Sequence, residues 1–142
     1  MKRILAATDG SEGADRAVDV AAELARALDG TLLILTATDN VSDSAVERLA
    51  RLEGGIGEAL DLVANQILRR AKERAHRIGV PRIETLNGWG DPTQSIIDCA
   101  GDHRIDIIAV GRRGRGQLSG LLLGSVSQKL VTLAPCPVIV VP

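Results

Sequence analysis

Short apolar segments alternate with amphipathic segments along the whole chain. The apolar segments are residues 4–8, 31–37, 82–87, 105–110 and 138–141, each with the length of a strand. Between them, apolar residues recur at helical spacing. This β-α-β-α-β-α-β-α-β pattern predicts an α/β fold, an open five-stranded parallel sheet with helices on both faces. We expect the strand order 3-2-1-4-5, with the alternating segment 82–87 nearer the sheet edge.

Capping residues indicate where the first two helices begin. Ser11 is the expected N-cap of a helix that ends near residues 29–30. Ser44 and Glu47 fit a capping box, which predicts a second helix start. Glycines at 54, 55 and 57 interrupt that segment, so we expect a break, kink or mobile stretch before helical spacing resumes at residue 60.

The third helix has the clearest start signal in the chain. Asp91 is a good N-cap, Pro92 would occupy the first helical position, and Gln94 would complete a capping box. Cys99, further along this helix, is interpreted as a core residue. In the preceding helix the basic residues are interpreted as a solvated face; they are Arg69, Arg70, Lys72, Arg74 and Arg77, with His76 expected at the surface.

A glycine-rich segment joins the strand 105–110 to a predicted helix at 125–133. Its spacing is Gly111-x2-Gly114-x9-Gly124-Ser125, which fits neither a Walker A loop nor the dinucleotide fingerprint. A strand, a glycine loop and a helix N-terminus in that order form an anion site, because glycine lets the backbone approach a phosphate and first-turn N–H groups lack partners within the helix. Taken alone, the same glycines also fit ordinary surface turns.

The predicted topology places this loop where a ligand is expected. In open α/β sheets the ligand lies beyond the carboxyl ends of the strands, where the strand order reverses. With the order 3-2-1-4-5 the reversal lies between the first and fourth strands, which end at residues 8–10 and at Gly111. Ala37, at the end of the second strand, would lie beside them. This agreement favours the phosphate site over chance turns.

Composition excludes several other classes of function. The 142 residues carry a net charge of −1, which gives no general attraction to nucleic acid or anionic membranes. Trp89 is the single aromatic residue, so single-stranded nucleic acid would find almost nothing to stack on. No apolar run approaches a membrane span of ~20 residues. The two cysteines suggest no disulfide framework or metal knuckle, and we expect one cytoplasmic domain over residues 1–142 without a signal peptide.

The motifs together resemble the universal stress protein family over the whole chain. The glycine spacing is similar to that family's ATP-binding motif, Gly-x2-Gly-x9-Gly-Ser/Thr. The other segments that carry the resemblance are the first strand with its aspartate turn at 4–12, Gly90-Asp91-Pro92, and residues 106–111, 124–127 and 136–141. The resemblance implies five parallel strands and four helices in a Rossmann-like fold of the adenine nucleotide alpha hydrolase-like type.

The resemblance also implies an adenine-nucleotide site, with ATP as the first ligand. Carried over by position, Asp9 would lie near the ribose, Ala7 and Thr8 beside the adenosine, the Ala37 backbone at the adenine edge and Val110 near the nucleoside. Gly111 and Gly114 would let the backbone approach the phosphate chain. The phosphate oxygens would be held by Gly124, the Ser125 hydroxyl and the backbone N–H groups of Val126 and Ser127.

Two features of the sequence bear on the choice of nucleotide. Arg112, Arg113 and Arg115 add positive charge beside the phosphates, and Arg115 is the expected contact. Ala37 is smaller than the apolar residue that more often faces the base, so monophosphates and cyclic AMP remain open. Any Mg²⁺ would be carried by the phosphates.

The sequence leaves several functional hypotheses open. No nucleophile elbow, histidine-rich metal spacing or paired carboxylate accompanies the loop, so a dedicated enzyme is poorly supported. The first hypothesis is a nucleotide-binding regulatory or stress-response module, in which nucleotide changes a surface that a protein partner contacts. The alternatives are a dimeric interaction protein with a vestigial site, a slow ATP hydrolase, and a cyclic AMP binder. The resemblance implies a homodimer through the apolar edge strand 138–141.

Overall fold

The computed structural model describes residues 1–37, 56–112 and 123–142. Within these ranges strands and helices alternate as the sequence predicted. The elements are β1 (Arg3–Ala7), α1 (Glu12–Ala27), β2 (Thr31–Ala37), α2 (Ile56–Ile78), β3 (Arg82–Gly88), α3 (Pro92–Asp102), β4 (Ile107–Gly111), α4 (Ser125–Leu133) and β5 (Val138–Val141). The predicted helix start at Ser44 and the glycines at 54 and 55 lie outside the described residues.

The strands form one parallel sheet in the order β3-β2-β1-β4-β5. This confirms the predicted order, and it confirms β3 as an edge strand. β1 pairs with both β2 and β4, so the strand order reverses between β1 and β4. In such a sheet this reversal opens a crevice at the carboxyl ends of the two strands.

Helices cover both faces of the sheet, as predicted. One apolar core joins alternate residues of β1 and β2, among them Ile4, Ala6 and Ile34, to α1 and α2. The second core joins the intervening residues, such as Leu5 and Leu35, to α3 and α4. All seven residues of β2 are buried. A strand covered on both faces explains why its sequence is a continuous apolar run rather than an alternating one.

The predicted N-caps of α1 and α3 are confirmed, but the capping box of α3 is wrong. The Ser11 hydroxyl accepts a hydrogen bond of 3.2 Å from the N–H of Ala14. Asp91 likewise accepts one of 3.0 Å from the N–H of Gln94, with Pro92 in the first turn. The Gln94 side chain, however, donates to Asp98 at 2.8 Å. Asp98 lies four residues after Gln94 and therefore on the same side of the helix. Its carboxylate binds the Gln94 side chain, which a capping box would instead place at the backbone N–H of Asp91.

Two further boundaries differ from the prediction. Gly57 lies inside α2, which begins at Ile56. A glycine near a helix start lowers helix propensity by about 1 kcal/mol relative to alanine, which the long apolar face of α2 offsets. β4 begins at Ile107 rather than Ile105, because the N–H of Ile105 donates to the carbonyl of Ala100 at 2.9 Å in the turn that ends α3.

The basic face of α2 is not wholly solvated, in contrast to the prediction. Arg74 donates two hydrogen bonds of 3.0 and 2.6 Å to the carboxylate of Asp19 on α1, and Arg70 pairs with Asp15. The hydrogen bond to Asp19 is the main cause that raises the pKa of Arg74. His76 is exposed, as predicted. These pairs fix α2 against the first half of α1.

Within the described ranges, none of the helices is long and apolar enough to cross a membrane.

Candidate functional site

The turn between β1 and α1 forms one wall of the crevice. Asp9 is 4% exposed as a residue, and its Oδ1 accepts a hydrogen bond of 2.9 Å from the N–H of Ser11. The N–H of Gly10 donates to the Thr8 hydroxyl at 3.1 Å, and Gly10 has a φ of 81°, which favours glycine. The turn therefore holds the Asp9 carboxylate in one position at the end of β1.

The end of β4 approaches the start of α1 very closely. Val110 is buried, and Gly111 follows it as the last residue of the strand. A Cβ atom at position 111 would lie 3.0 Å from the carbonyl carbon of Gly13. The structure thus assigns Gly111 a packing role that the spacing of the glycine motif did not predict.

Arg112 connects three elements through its backbone. Its N–H donates to the carbonyl of Val141 in β5 at 2.7 Å, and its carbonyl accepts a hydrogen bond of 2.7 Å from the N–H of Gly124. The Ser127 hydroxyl donates to the same carbonyl at 2.8 Å, and to the carbonyl of Gly124 at 3.1 Å. The N-terminus of α4 is therefore fixed beside the end of β4.

The N-terminus of α4 carries an uncompensated positive potential. Its N-cap is Gly124, no side chain of the described residues forms a capping hydrogen bond there, and the first turn contains no acidic residue. The Nε atom of Arg112 is buried and has no hydrogen-bond partner in the described part of the chain. Helix N-termini attract anions through their free N–H groups and the helix dipole, and a guanidinium strengthens that attraction.

The positions of the two serines of α4 differ sharply. Ser125 is exposed, whereas Ser127 is 2% exposed with its hydroxyl committed to backbone carbonyls. The sequence named only the backbone N–H of Ser127 and the hydroxyl of Ser125 as ligands, and their placement is compatible with those roles. Gly114 and Arg115 lie outside the described residues.

The sequence analysis gave Arg112 no specific role. It was one of three arginines in the loop, and the pattern alone did not indicate which would have a buried, unpartnered nitrogen. The available signal was its position directly after β4, one of the two strands between which the strand order reverses.

Most of the sequence-predicted residues come together at one edge of the sheet. Ala7 pairs in register with Leu35 near the end of β2, and Thr8 continues this pairing by donating its N–H to the Leu35 carbonyl at 2.9 Å. Ala37 closes β2 and is 6% exposed. The carboxyl ends of β1, β2 and β4 and the N-terminus of α4 thus lie at one edge of the sheet, together with Asp9, Val110, Gly111 and residues 124–127.

The described residues contain no group of three or more histidine, cysteine or carboxylate side chains that could hold a metal ion. Chemically, this arrangement suits binding of an anion with an attached polar group, held by backbone N–H groups at one end and a fixed carboxylate at the other.

The model of the universal stress protein family matches residues 1–142. The chain belongs to the universal stress protein family. A Thermus aquaticus member, the universal stress protein in the QAH/OAS sulfhydrylase 3' region, is 37% identical over 148 residues, with 99% of this chain and 98% of that protein covered.

Solved structures of the family share the fold. A universal stress protein in complex with cAMP has a TM-score of 0.73 and 28% identity, covering 99% of this chain and 95% of that one. The universal stress protein UspA from Lactobacillus plantarum has a TM-score of 0.80 and 26% identity, with 99% and 97% covered.

Proposed function

We propose that this universal stress protein binds an adenine nucleotide, with ATP as the first candidate, and acts as a nucleotide-dependent regulatory module. The observation that carries the proposal is the N-terminus of α4, which no described side chain caps. It lies beside the backbone of Arg112, whose Nε is buried, at the end of β4 where the strand order reverses. A related fold, 28% identical, is known in complex with cAMP.

The phosphates would lie against α4. The backbone N–H groups of Val126 and Ser127 and the hydroxyl of Ser125 would donate to phosphate oxygens, and Arg112 would add its guanidinium. An anion at a helix N-terminus gains typically about 0.3–1 kcal/mol, and up to about 2 kcal/mol when partly buried. Micromolar affinity corresponds to about 8 kcal/mol, so most of the binding free energy would have to come from the Arg112 charge and the nucleoside contacts.

The nucleoside would lie over the ends of β1 and β2. The Asp9 carboxylate accepts hydrogen bonds, and ribose hydroxyls are suitable donors. The Ala37 backbone would meet the base, and Val110 would pack near the sugar. Gly114 and Arg115 complete the proposed site, and a Mg²⁺ ion bound with ATP would be held mainly by phosphate oxygens.

Cyclic AMP is the second candidate ligand. One observation favours it, the related structure in complex with cAMP. A cyclic monophosphate has one phosphate for α4 to bind, whereas ATP has three. The two ligands therefore predict different contributions from Arg112, which removal of its charge would measure.

We assign the edge strand β5 to a homodimer contact. Val138, Ile139 and Val140 are only half-buried, and Val131 and Leu133 on the adjacent α4 are 57% and 60% exposed. An apolar edge strand of this kind risks aggregation unless it is paired. Light scattering after size exclusion tests this contact, and a monomeric mass at micromolar concentration contradicts it.

The decisive experiment measures the ligand directly. Protein purified without added nucleotide is denatured and the released small molecules are identified by mass spectrometry; calorimetry then measures binding of ATP with Mg²⁺ and of cAMP. Released or bound adenine nucleotide supports the proposal. Protein that is empty and binds neither nucleotide contradicts it.

Gly124 offers a matched pair of variants for the same assay. Its φ of −74° and ψ of 170° suit any residue. Gly124→Asp and Gly124→Asn both supply a capping side chain, so each should change stability by only a few tenths of a kcal/mol relative to glycine. Only Gly124→Asp adds a negative charge at the phosphate position, and we expect it to weaken ATP binding at least tenfold more than Gly124→Asn. Equal affinities of the two variants contradict a phosphate at α4.

A further inference from the structure

Two buried oxygen atoms without partners lie side by side near the ends of β2 and β3. Thr36 and Asn87 are partners in the parallel register of these strands. Thr36 Oγ1 and Asn87 Oδ1 are both buried, and neither has a hydrogen-bond partner in ranges 1–37, 56–112 and 123–142. Thr36 is 1% exposed as a residue. Side-chain alternation places both residues on the sheet face that carries α1 and α2, because Ile34 belongs to that core and Ile83 packs against it.

Orphaned polar atoms in pairs indicate a missing donor. Buried polar side chains in folded proteins are almost always hydrogen-bonded, and exceptions often mark a ligand or water site. The Asn87 oxygen only accepts hydrogen bonds, and the Thr36 hydroxyl accepts as well as donates. A single ligand group with two N–H donors would satisfy both atoms. An amino group on a planar ring is such a group.

The location agrees with a base rather than a phosphate. Thr36 and Asn87 are each followed by a small residue, Ala37 and Gly88, which are also in register. Gly88 is packed tightly: a Cβ atom there would lie 3.2 Å from the Cβ of Ser95. The α4 N-terminus, the anion site, lies on the other side of β1. The N-terminus of α4 therefore offers N–H donors for an anion, whereas the ends of β2 and β3 offer oxygen acceptors for an amino group.

Trp89 is an independent indication of a planar ligand at this edge. It directly follows Gly88, is the chain's single aromatic residue, and is 61% exposed. Its carbonyl accepts a hydrogen bond of 2.9 Å from the Ser95 hydroxyl, which fixes its backbone against α3. An exposed indole is a stacking platform for a nucleobase.

We propose that Thr36, Asn87 and Trp89 form the base-recognition part of the nucleotide site. The amino group of the base donates to Thr36 Oγ1 and Asn87 Oδ1, and the face of the base stacks on Trp89. This inference rests on the proposed nucleotide-binding function and adds to it a selection for an amino-bearing purine. Hypoxanthine has a carbonyl oxygen where adenine has the amino group, so this oxygen would face the Asn87 oxygen as one acceptor against another. That repulsion would keep hypoxanthine away from the Thr36 hydroxyl, which could otherwise donate to it.

The test compares ATP and ITP, each with Mg²⁺, by calorimetry on the full chain. For the natural protein we expect ATP to bind at least ~10-fold more tightly than ITP, since a polar site rejects a ligand that leaves its groups unpaired. Thr36→Val should reduce the preference to ~3-fold or less through weaker ATP binding, while the affinity for ITP stays the same or improves. Without nucleotide this variant should be at least as thermally stable as the natural protein, because it removes a buried unpaired hydroxyl.

Thr85→Val is the matched control. Thr85 lies two residues before Asn87 on the same strand, and it is exposed. The same chemical change there should leave the preference for ATP over ITP unaltered. If Thr36 has only a structural role, Thr36→Val should weaken the binding of ATP and of ITP by the same factor, and that result overturns the inference.

Trp89 supplies a readout of its own, because its fluorescence is not overlapped by any other tryptophan or by tyrosine. Stacking of a purine should quench it on titration with ATP, and ATP binding without any change in Trp89 emission overturns the stacking contact. Binding of ATP and ITP within twofold of each other by the natural protein overturns base recognition but leaves the proposed function intact. Binding of neither nucleotide contradicts both.

Discussion

Gly111 at the end of β4 packs directly on Gly13 in the first turn of α1. A Cβ atom at position 111 would lie 3.0 Å from both the carbonyl carbon and the carbonyl oxygen of Gly13, and 3.3 Å from the nitrogen of Ala14. These neighbours are backbone atoms of a helix and cannot rotate away as a side chain would. The first glycine of the loop motif is therefore required for packing of α1, whether or not a ligand is bound.

Gly111→Ala should accordingly destabilise the protein even without nucleotide. The added methyl group forces the start of α1 away from β4, and overpacking of this kind costs about 1–3 kcal/mol. Urea denaturation followed by circular dichroism measures the loss in free energy of unfolding.

Gly101→Ala is the control for that substitution. Gly101 lies in α3, and a Cβ atom there would meet no atom of the described residues within 4 Å. Alanine should stabilise this position by about 0.4–1 kcal/mol, because it restricts the unfolded chain and favours the helix. If both variants have the stability of the natural protein, the close approach of Gly111 to Gly13 is not an energetic constraint.

The ion pairs between α1 and α2 should contribute unequally. Arg74 makes two hydrogen bonds with Asp19 and lies 3.9 Å from Asp15, and its side chain is 28% exposed. The Arg70 side chain is 59% exposed. We expect Arg74→Met to cost about 1–2 kcal/mol and Arg70→Met less than about 1 kcal/mol, because exposed pairs are screened by water and salt.

Arg69→Met controls for the loss of charge itself. Arg69 is exposed on α2, and no ion pair joins it to another residue in the described ranges. Its substitution should change the free energy of unfolding by no more than about 0.5 kcal/mol. Equal costs for all three variants, in urea titrations at low and high salt, would show that the bidentate geometry of Arg74 adds nothing.

Cys99 should make stability depend on alkaline pH. Burial raises the pKa of this thiol from 9.0 to about 11, with a smaller contribution from Asp102. Below pH 9 the thiol is protonated in both states; as the pH rises towards 11 the unfolded chain loses this proton first, so the stability falls. We expect a loss of up to about 2 kcal/mol across this window.

The free energy of unfolding of the Cys99→Ala variant should depend less on pH between 8 and 11. The difference between its curve and that of the natural protein gives the contribution of the Cys99 thiol, separate from that of the lysines. A thiol reagent gives a second measurement at pH 8. The half-buried Cys136 should react in the folded protein, whereas Cys99 should react only on unfolding. Rapid reaction of both thiols in the native state contradicts the burial of Cys99.

The fold was predictable from the sequence because each strand and helix carries its own local signal. The buried run of β2 and the capping residues Ser11 and Asp91 are examples, and the strand order follows from few connection rules. Local patterns failed where one side chain has two possible partners. The Gln94 side chain, predicted to complete the capping box of α3, donates a hydrogen bond to Asp98 instead. Local patterns also failed to predict the pairing of Arg74 with Asp19, which requires the packing of two helices.

The site was predictable in outline but not in detail. Thr31 and Thr36 both lie in the apolar strand β2, and the sequence does not distinguish them. In the structure the Thr31 hydroxyl lies 3.6 Å from the sulfur of Met1, whereas the Thr36 hydroxyl lacks a partner in the described parts of the chain. Such differences depend on which residues of other strands and helices lie opposite, and a single sequence does not contain that information in readable form.

The two serines of α4 should separate stability from ligand binding. Ser127 is buried and its hydroxyl donates to the carbonyls of Arg112 and Gly124, so Ser127→Ala should cost about 1 kcal/mol in the free energy of unfolding without nucleotide. Ser125 is exposed, and Ser125→Ala should leave that free energy unchanged within about 0.5 kcal/mol.

The order should reverse when the same variants are titrated with ATP and Mg²⁺. If the Ser125 hydroxyl donates to a phosphate oxygen, its removal should weaken binding about 5- to 15-fold, since a hydrogen bond to a charged group contributes about 1–1.5 kcal/mol even at an accessible site. Ser127→Ala should weaken binding by less than about threefold where the protein remains folded, because its proposed contact is made by the backbone N–H. Unchanged ATP affinity of Ser125→Ala, measured in protein that binds ATP, would move the phosphate away from the first turn of α4 and towards the loop that precedes it.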